Sequence, residues 1–254
     1  MNTFRAGELD VRVYDDLPTL ARAAANDAAS AVAAAIDARG DANVMLATGN
    51  SQLAFLAELV THTEVDWSAV TAFHMDEYAG IASGHSASFQ RYMREKVASM
   101  ITVKEFHYLA GDTGNAQAEA DRYSALLRAH PLDLCVCGIG ENGHLAFNDP
   151  PVADFDDPVD VKLVALEPAS RRQQVAEGHF ATIDDVPTHA ITVTIPALVR
   201  ARRVLAIVPE TRKAAPVRDA LRGPVSTACP ASYLRRQPHA TLYLDVDSAS
   251  LLDP

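Results

Sequence analysis

The chain predicts a single α/β domain, a mainly parallel sheet covered by helices on both faces. Short apolar runs alternate with longer segments whose apolar residues recur every three or four positions, as strands joined by crossover helices do. Two of the apolar runs end in turns rich in glycine or small polar residues, at the strand ends where open α/β sheets bind ligands. At 254 residues and 48% hydrophobic, the chain can bury one large core. No low-complexity tract, repeat or Ser/Gly linker divides it. Pro150-Pro151 through Pro158 reads as a loop inside the domain, and residues from about 151 to 185 as a mobile lid.

Each element has its own justification. Leu9 to Tyr14 alternates and reads as an edge strand. Leu17 to Ile36 is a helix with Leu17, Leu20, Ala21, Ala24, Ala28, Val32 and Ile36 on one stripe. Val44 to Ala47 is a strand and Gln52 to Val60 a helix. Ala69 to Met75 is a strand and Ser88 to Ala98 a helix. Ala116 to Ala129 is a helix that feeds the strand Leu132 to Cys137. Val161 to Leu166, Ala190 to Ile195, Arg203 to Val208 and Thr241 to Leu244 read as further strands. Helices fill the gaps at Arg171 to Glu177 and Arg212 to Leu221.

Charge and composition narrow the function. With 33 acidic against 22 basic residues, the chain lacks the cationic surface that nucleic-acid backbones require. A locally positive pocket for a small phosphate is still compatible with that balance. No apolar run approaches the roughly 20 residues that cross a membrane, and no signal peptide is evident, so a cytoplasmic location is expected. Cys135, Cys137 and Cys229 are too few for a disulfide framework and are expected to be reduced thiols. His62, His107, His130, His179, His189 and His239 show no metal-ligand spacing.

Two segments carry chemistry. The strand ending at Cys137 runs into Gly138-Ile139-Gly140-Glu141-Asn142-Gly143-His144-Leu145-Ala146-Phe147-Asn148-Asp149-Pro150. Three glycines in six residues allow a tight turn and close approach to a ligand. A histidine and a carboxylate five residues apart supply an acid/base pair. The second segment, Val70 to Tyr78, ends in Asp76-Glu77. Side chains alternate along a strand, so one acid is free for a pocket and the other for support. Thr48-Gly49-Asn50-Ser51 links a strand to a helix, an arrangement that either caps the helix or binds an anion.

Together these segments resemble the glucosamine-6-phosphate deaminase/isomerase family. The resemblance rests on Met75-Asp76-Glu77-Tyr78, His85 and Phe89, and Gly138 to Pro150, with fainter matches at Leu46 to Ser51 and Glu210 to Ala214. It spans about residues 44 to 215. It implies a modified Rossmann-like fold, a small phosphorylated sugar as substrate, and no metal or organic cofactor. Asp76 would shuttle the proton between C2 and C1. His144 would open the pyranose ring, oriented by Asp149 with Glu141 or Asn142. Thr48, Gly49, Asn50, Ser51 and Lys213 would hold the phosphate, and Glu77, His85 and Gly143 would line the sugar.

The sequence departs from the family's pattern in three places. Asn142 stands where the family often has Asp, and Asp149 where it commonly has Glu. The arginine that some members bring to the phosphate from a lid falls at Ala176, with Arg171 or Arg172 a helical turn earlier as substitutes. Some members are hexamers activated by N-acetylglucosamine 6-phosphate through basic residues after this turn, but here Pro151 to Pro158 is acidic. A homo-oligomer is left open. The competing readings are a galactosamine-6-phosphate deaminase, a 6-phosphogluconolactonase, which needs the Gly-His turn but no C2 base, and a sugar-phosphate sensor without turnover.

Overall fold

The computed structural model describes residues 1–252. In chain order the strands are β1 (Asn2–Ala6), β2 (Leu9–Tyr14), β3 (Ala42–Leu46), β4 (Val70–His74), β5 (Asp76–Tyr78), β6 (Glu105–His107), β7 (Leu134–Cys137), β8 (Val161–Ala165), β9 (His189–Val193), β10 (Arg203–Val208) and β11 (Ala240–Asp245). The helices are α1 (Leu17–Arg39), α2 (Leu53–Leu59), α3 (Phe89–Met93), α4 (Ala116–Ala129), α5 (Pro168–Ala176), α6 (Ile195–Val199) and α7 (Ala214–Arg222). Eight strands form the main sheet in the order β1-β2-β11-β10-β7-β3-β4-β6. All neighbours run parallel except the hairpin β1-β2.

Alternation along the central strands builds two cores. Val204, Ala206 and Val208 face one side with Cys135 and Cys137, where they meet Tyr123 of α4 and Val217 of α7. Leu205, Ile207, Leu134 and Val136 face the other, packed under α1 and α2. The alanine-rich stripe of α1 follows from this position, since Ala24, Ala25 and Ala28 are fully buried against the sheet and its neighbouring helix. Asp16 caps that helix by accepting from the Thr19 amide at 2.8 Å, and Gly40 ends it at φ 84°, where a left-handed residue satisfies the Ile36 carbonyl.

The chain leaves the main sheet at Met75. Its carbonyl accepts from the Val193 amide at 2.8 Å, and β5 then enters a second, antiparallel sheet of order β5-β9-β8. A third cluster of Tyr78, Phe89, Phe147, Val164, Leu166 and Phe180 fills the space behind that sheet.

The structure revises three expectations. β2 is not an edge, because β1 pairs with it; the largely exposed Asn2-Thr3-Phe4-Arg5 carries no apolar alternation to announce a strand. β5 and β6, each three residues long, are too short for periodicity to reveal. The helix expected over Ser88 to Ala98 is α-helical only to Met93 and continues as a wider turn, with the Ser99 amide on the Arg94 carbonyl.

Candidate active site

The carboxyl ends of β3, β4 and β7 open into one cavity, about 620 Å³ of empty space including its open mouth. Thr48, Gly49, Asn50, Ser51 and Lys213 form one wall, and Asp76, Gly138, Gly140 and His144 another. Gln173, Gln174 and Glu177 of the α5 segment cover it.

Burial of Asp76 follows from its strand. On β5 it stands opposite Thr192 of β9, at 6% exposure, and its Oδ1 has no partner among the described residues. Burial and the neighbouring charge of Glu77 push its carboxyl up to about 8. Glu77 points away from the cavity, as alternation requires. Its carboxylate accepts from the Ser88 hydroxyl and from the Phe89, Gln90 and Tyr78 amides, at 2.7 to 3.2 Å. It thereby builds the start of α3 and is not free to line a sugar.

The glycine turn is shaped around His144. A Cβ on Gly140 would collide with the imidazole, so the ring lies flat on backbone that only glycine leaves open. Gly143 is left-handed (φ +83°), and a Cβ there would come 2.7 Å from the Sγ of Cys229. Ala146 is also left-handed, at φ 49° despite its side chain, a strain characteristic of functional loops.

Behind the ring lies a polar network. His144 Nδ1 is 2.8 Å from Asn142 Oδ1 and 2.9 Å from Asp149 Oδ1. Asp149 therefore reaches the imidazole despite lacking one methylene relative to Glu. It also accepts from the Ser170 hydroxyl at 2.5 Å and the Glu167 amide at 3.2 Å. Burial alone would raise its carboxyl, but the bonds and charge of His144, with Ser170 and Asn142, hold it below its ordinary value. Thr192 ties the two walls together, since its Oγ1 accepts from the Phe147 amide at 3.0 Å while its backbone pairs with Asp76.

The opposite wall suits an anion. Among the described residues, no protein acceptor takes the Asn50 or Ser51 amide. Lys213 is 3% exposed and has no ion pair among the described residues. Burial, with the charge of Arg212 beside it, brings its ammonium down to about 8. Arg212 is engaged by Glu177 and Glu210, with Ser51 Oγ 3.4 Å away. Burial would raise the Glu177 carboxyl, but His179, Arg212 and Gln173 together lower it to about 2.

Thr48, Gly49, Asn50, Ser51, Asp76, His144 and Lys213 thus meet around one cavity, with Asn142 and Asp149 directly behind the histidine. Other expected residues lie elsewhere. The Glu141 side chain is exposed and sits 3.7 Å from Arg212, not on the imidazole. His85 is exposed, stacks on Phe180 and accepts from the Ala87 amide. Arg171 donates to the carbonyls of Ile183 and Val186, and Arg172 lines a shallow depression with Glu141, Asn142 and Ala169. Gly143 packs outward against Cys229.

Sequence reasoning missed Glu167, Ser170, Gln173, Gln174 and Glu177. Their recurrence every three or four residues marks a polar helix face, and that face carries every contact of α5 with the site. Glu167 and Ser170 meet the glycine turn, Gln173 Oε1 accepts from the Glu141 amide, and Gln174 Oε1 accepts from the Tyr78 hydroxyl.

Known proteins place this architecture. Curated relatives called glucosamine-6-phosphate deaminase include one from Exiguobacterium sibiricum, 36% identical over 82% of this chain and 80% of its own. Another, from Listeria monocytogenes serotype 4a, is 36% identical over 84% and 89%. A solved monomeric glucosamine-6-phosphate deaminase superposes with a TM-score of 0.85 at 27% identity, over 95% of this chain and 99% of that one. The 6-phosphogluconolactonase of Shewanella baltica OS155 shares the fold, with a TM-score of 0.76 at 23% identity over 95% and 99%. The family model for glucosamine-6-phosphate isomerases and 6-phosphogluconolactonase matches residues 15–243. A β-sheet site of this composition and a match of this extent lead to one conclusion: the chain belongs to the glucosamine-6-phosphate isomerase/6-phosphogluconolactonase family.

Proposed function

We propose that this protein isomerises and deaminates an amino-sugar phosphate, converting glucosamine 6-phosphate and water to fructose 6-phosphate and ammonia. One observation carries the reading: a buried carboxylate, Asp76, with an oxygen unpaired among the described residues, shares a cavity with His144 and with a buried lysine that makes no ion pair among those residues. A lactone hydrolase needs no base at C2, whereas an aldose-to-ketose conversion does. The names and identities of the curated relatives support the same reaction.

The residues divide the chemistry as follows. The phosphate lies against the Asn50 and Ser51 amides and Lys213, where burial strengthens a charge-assisted bond. His144 takes the proton of the O1 hydroxyl as the ring C1–O5 bond breaks and passes it to O5. Asp76 then removes the C2 proton, the aldehyde oxygen gains one, and an enolamine forms. Returning the proton at C1 gives a 2-imine. Water adds at C2, the C–N bond breaks, and ammonia leaves the ketose. Gln52, whose Oε1 has no partner among the described residues, and Gln173 and Gln174 supply groups for the sugar hydroxyls and amine. The α5 segment, within the span 151–185, acts as the lid that excludes water. A charged sugar phosphate does not cross membranes, so the enzyme works in the cytoplasm; no helix among the described residues is long and apolar enough to span one.

The test is to offer the protein glucosamine 6-phosphate, galactosamine 6-phosphate and 6-phosphogluconolactone, and to follow ammonia, ketose and lactone loss. Ammonia and ketose in equal amounts from glucosamine 6-phosphate are expected. Lactone loss alone, or binding without turnover, would refute the proposal. Faster release from the galacto sugar would move the specificity at C4.

A further inference from the structure

The contact between Asn142 and His144 has two orientations of nearly identical shape. An amide can present its oxygen or its NH₂ to the imidazole, and the two select opposite tautomers, because the oxygen only accepts and the NH₂ only donates. A carboxylate at this position would leave no such choice. Something must therefore hold the amide.

The surroundings of Asn142 supply it. The His144 backbone amide donates to Oδ1 at 3.2 Å, which fixes that atom as oxygen. On the other side, Nδ2 donates both its hydrogens to carboxylates, to Asp149 Oδ1 at 3.0 Å and to Glu167 Oε2 at 3.0 Å. The oxygen is left facing His144 Nδ1 at 2.8 Å. Asp149 alone is a weak anchor, since it is shared with Ser170, the Glu167 amide and the imidazole. Glu167, the residue immediately before α5, makes no other side-chain hydrogen bond among the described residues.

We propose that Glu167 is a positioning residue that holds the Asn142 amide with its oxygen on His144, so that the histidine is the Nδ1–H tautomer with Nε2 free at the cavity wall. Nε2 lies over Gly140, which lines the cavity with it. A reversed amide would bring its oxygen against two carboxylates and its NH₂ against Nδ1, leaving the Nδ1 hydrogen only Asp149 Oδ1, 2.9 Å away and shared with Ser170, and so admitting the Nε2–H form, which could not accept the O1 proton. Glu167 thus supplies, from the lid helix, the negative charge that Asn142 does not carry. Because the contact joins α5 to the glycine turn, the amide is held by both carboxylates while the start of α5 is docked. The inference rests on the deaminase reading for its consequence in turnover, but not for its geometry.

The decisive measurement is long-range ¹H–¹⁵N correlation on substrate-free protein labelled at histidine nitrogens, with His144→Gln assigning the signal. The unaltered protein should show a protonated Nδ1 and an unprotonated Nε2. Glu167→Ala should give a mixture with Nε2–H, and lower kcat about tenfold with KM within about twofold. Glu167→Gln, whose Oε1 can still accept from Nδ2, should retain the tautomer and most of the rate. In an Asn142→Asp background the amide choice is gone, and adding Glu167→Ala should cost less than about twofold. A Glu167→Ala protein with His144 still wholly Nδ1–H would overturn the proposal. So would equal losses in both backgrounds, which would mean that Glu167 serves only the helix. Absence of turnover by the unaltered protein would refute the functional reading alone, since the nitrogen shifts decide the positioning role without substrate.

Discussion

Replacing Asp76 by Asn should make the protein more stable and nearly inactive. In the folded chain, burial and Glu77 raise the Asp76 carboxyl from 3.8 to about 8. The folded state therefore holds a proton that the unfolded state has released. Stability from this group is complete below pH 4 and is lost as pH rises through about 8. At 1.36 kcal/mol per unit, a rise of roughly four units corresponds to ~5 kcal/mol, which cavity water and coupling to Glu77 reduce to about 2–4 kcal/mol. Asn is neutral at every pH and has the same shape, so Asp76→Asn should regain that amount at pH 9 and nothing at pH 4. For a chain of this length the gain is roughly 5–15 °C in Tm. Thermal unfolding of both proteins at pH 4, 7 and 9 reads it directly. The same variant should lose about 10²–10⁴-fold in kcat, along with C2 proton exchange in deuterated water. A Tm difference independent of pH, or a variant with near-normal kcat, would refute the argument.

Four further outcomes are expected. Lys213→Ala should raise KM for the phosphorylated sugar about 10–100-fold, the value of one charge-assisted bond, and scarcely alter weak activity on unphosphorylated glucosamine; equal losses on both would assign Lys213 to the fold. Since Asp76 must be ionised and Lys213 protonated, and both sit near 8, kcat/KM against pH should be a narrow bell centred there, and a plateau from pH 6 to 10 would contradict it. Gly140→Ala should displace the His144 ring and cost at least about 10²-fold in kcat while thermal unfolding shifts little, and a crystal structure of the variant with the ring unmoved would count against it. Finally, substrate curves should be hyperbolic and unchanged by N-acetylglucosamine 6-phosphate, because Lys162 is engaged by Asp157 and the Val152 carbonyl, and Arg128 and Arg200 by Asp160. A sigmoidal curve that the effector makes hyperbolic would overturn this.

The parallel core was legible because buried strands announce themselves. Leu134 to Cys137 and Arg203 to Val208 are apolar runs bounded by polar residues or glycine, and α1 shows its stripe over six turns. The glycine turn and the Asp-Glu pair were legible because their spacing is local. What escaped was long-range. Nothing in Thr192 itself says that it faces Asp76 across a ladder, since register between distant strands is set by the packed sheet. Nor does the sequence tell that Glu77 spends its charge on the amides of α3, or that Arg171 turns toward Ile183. In both cases a charged side chain next to a functional segment is drawn to unsatisfied backbone nearby, and only the fold shows which groups are within reach.

Thr192 has a mechanical consequence. The base and the histidine turn come from separate parts of the chain, yet each is referenced to this one residue, Asp76 through the strand pairing and Phe147 through the hydroxyl. A displacement of the small sheet therefore carries both in the same direction. Such motion is common to the two groups and cancels in the distance between them, as vibration of a shared rail leaves two mounted lenses aligned. The spacing between the base and the histidine turn is thus set inside the fold by Thr192 and not by the α5 cover.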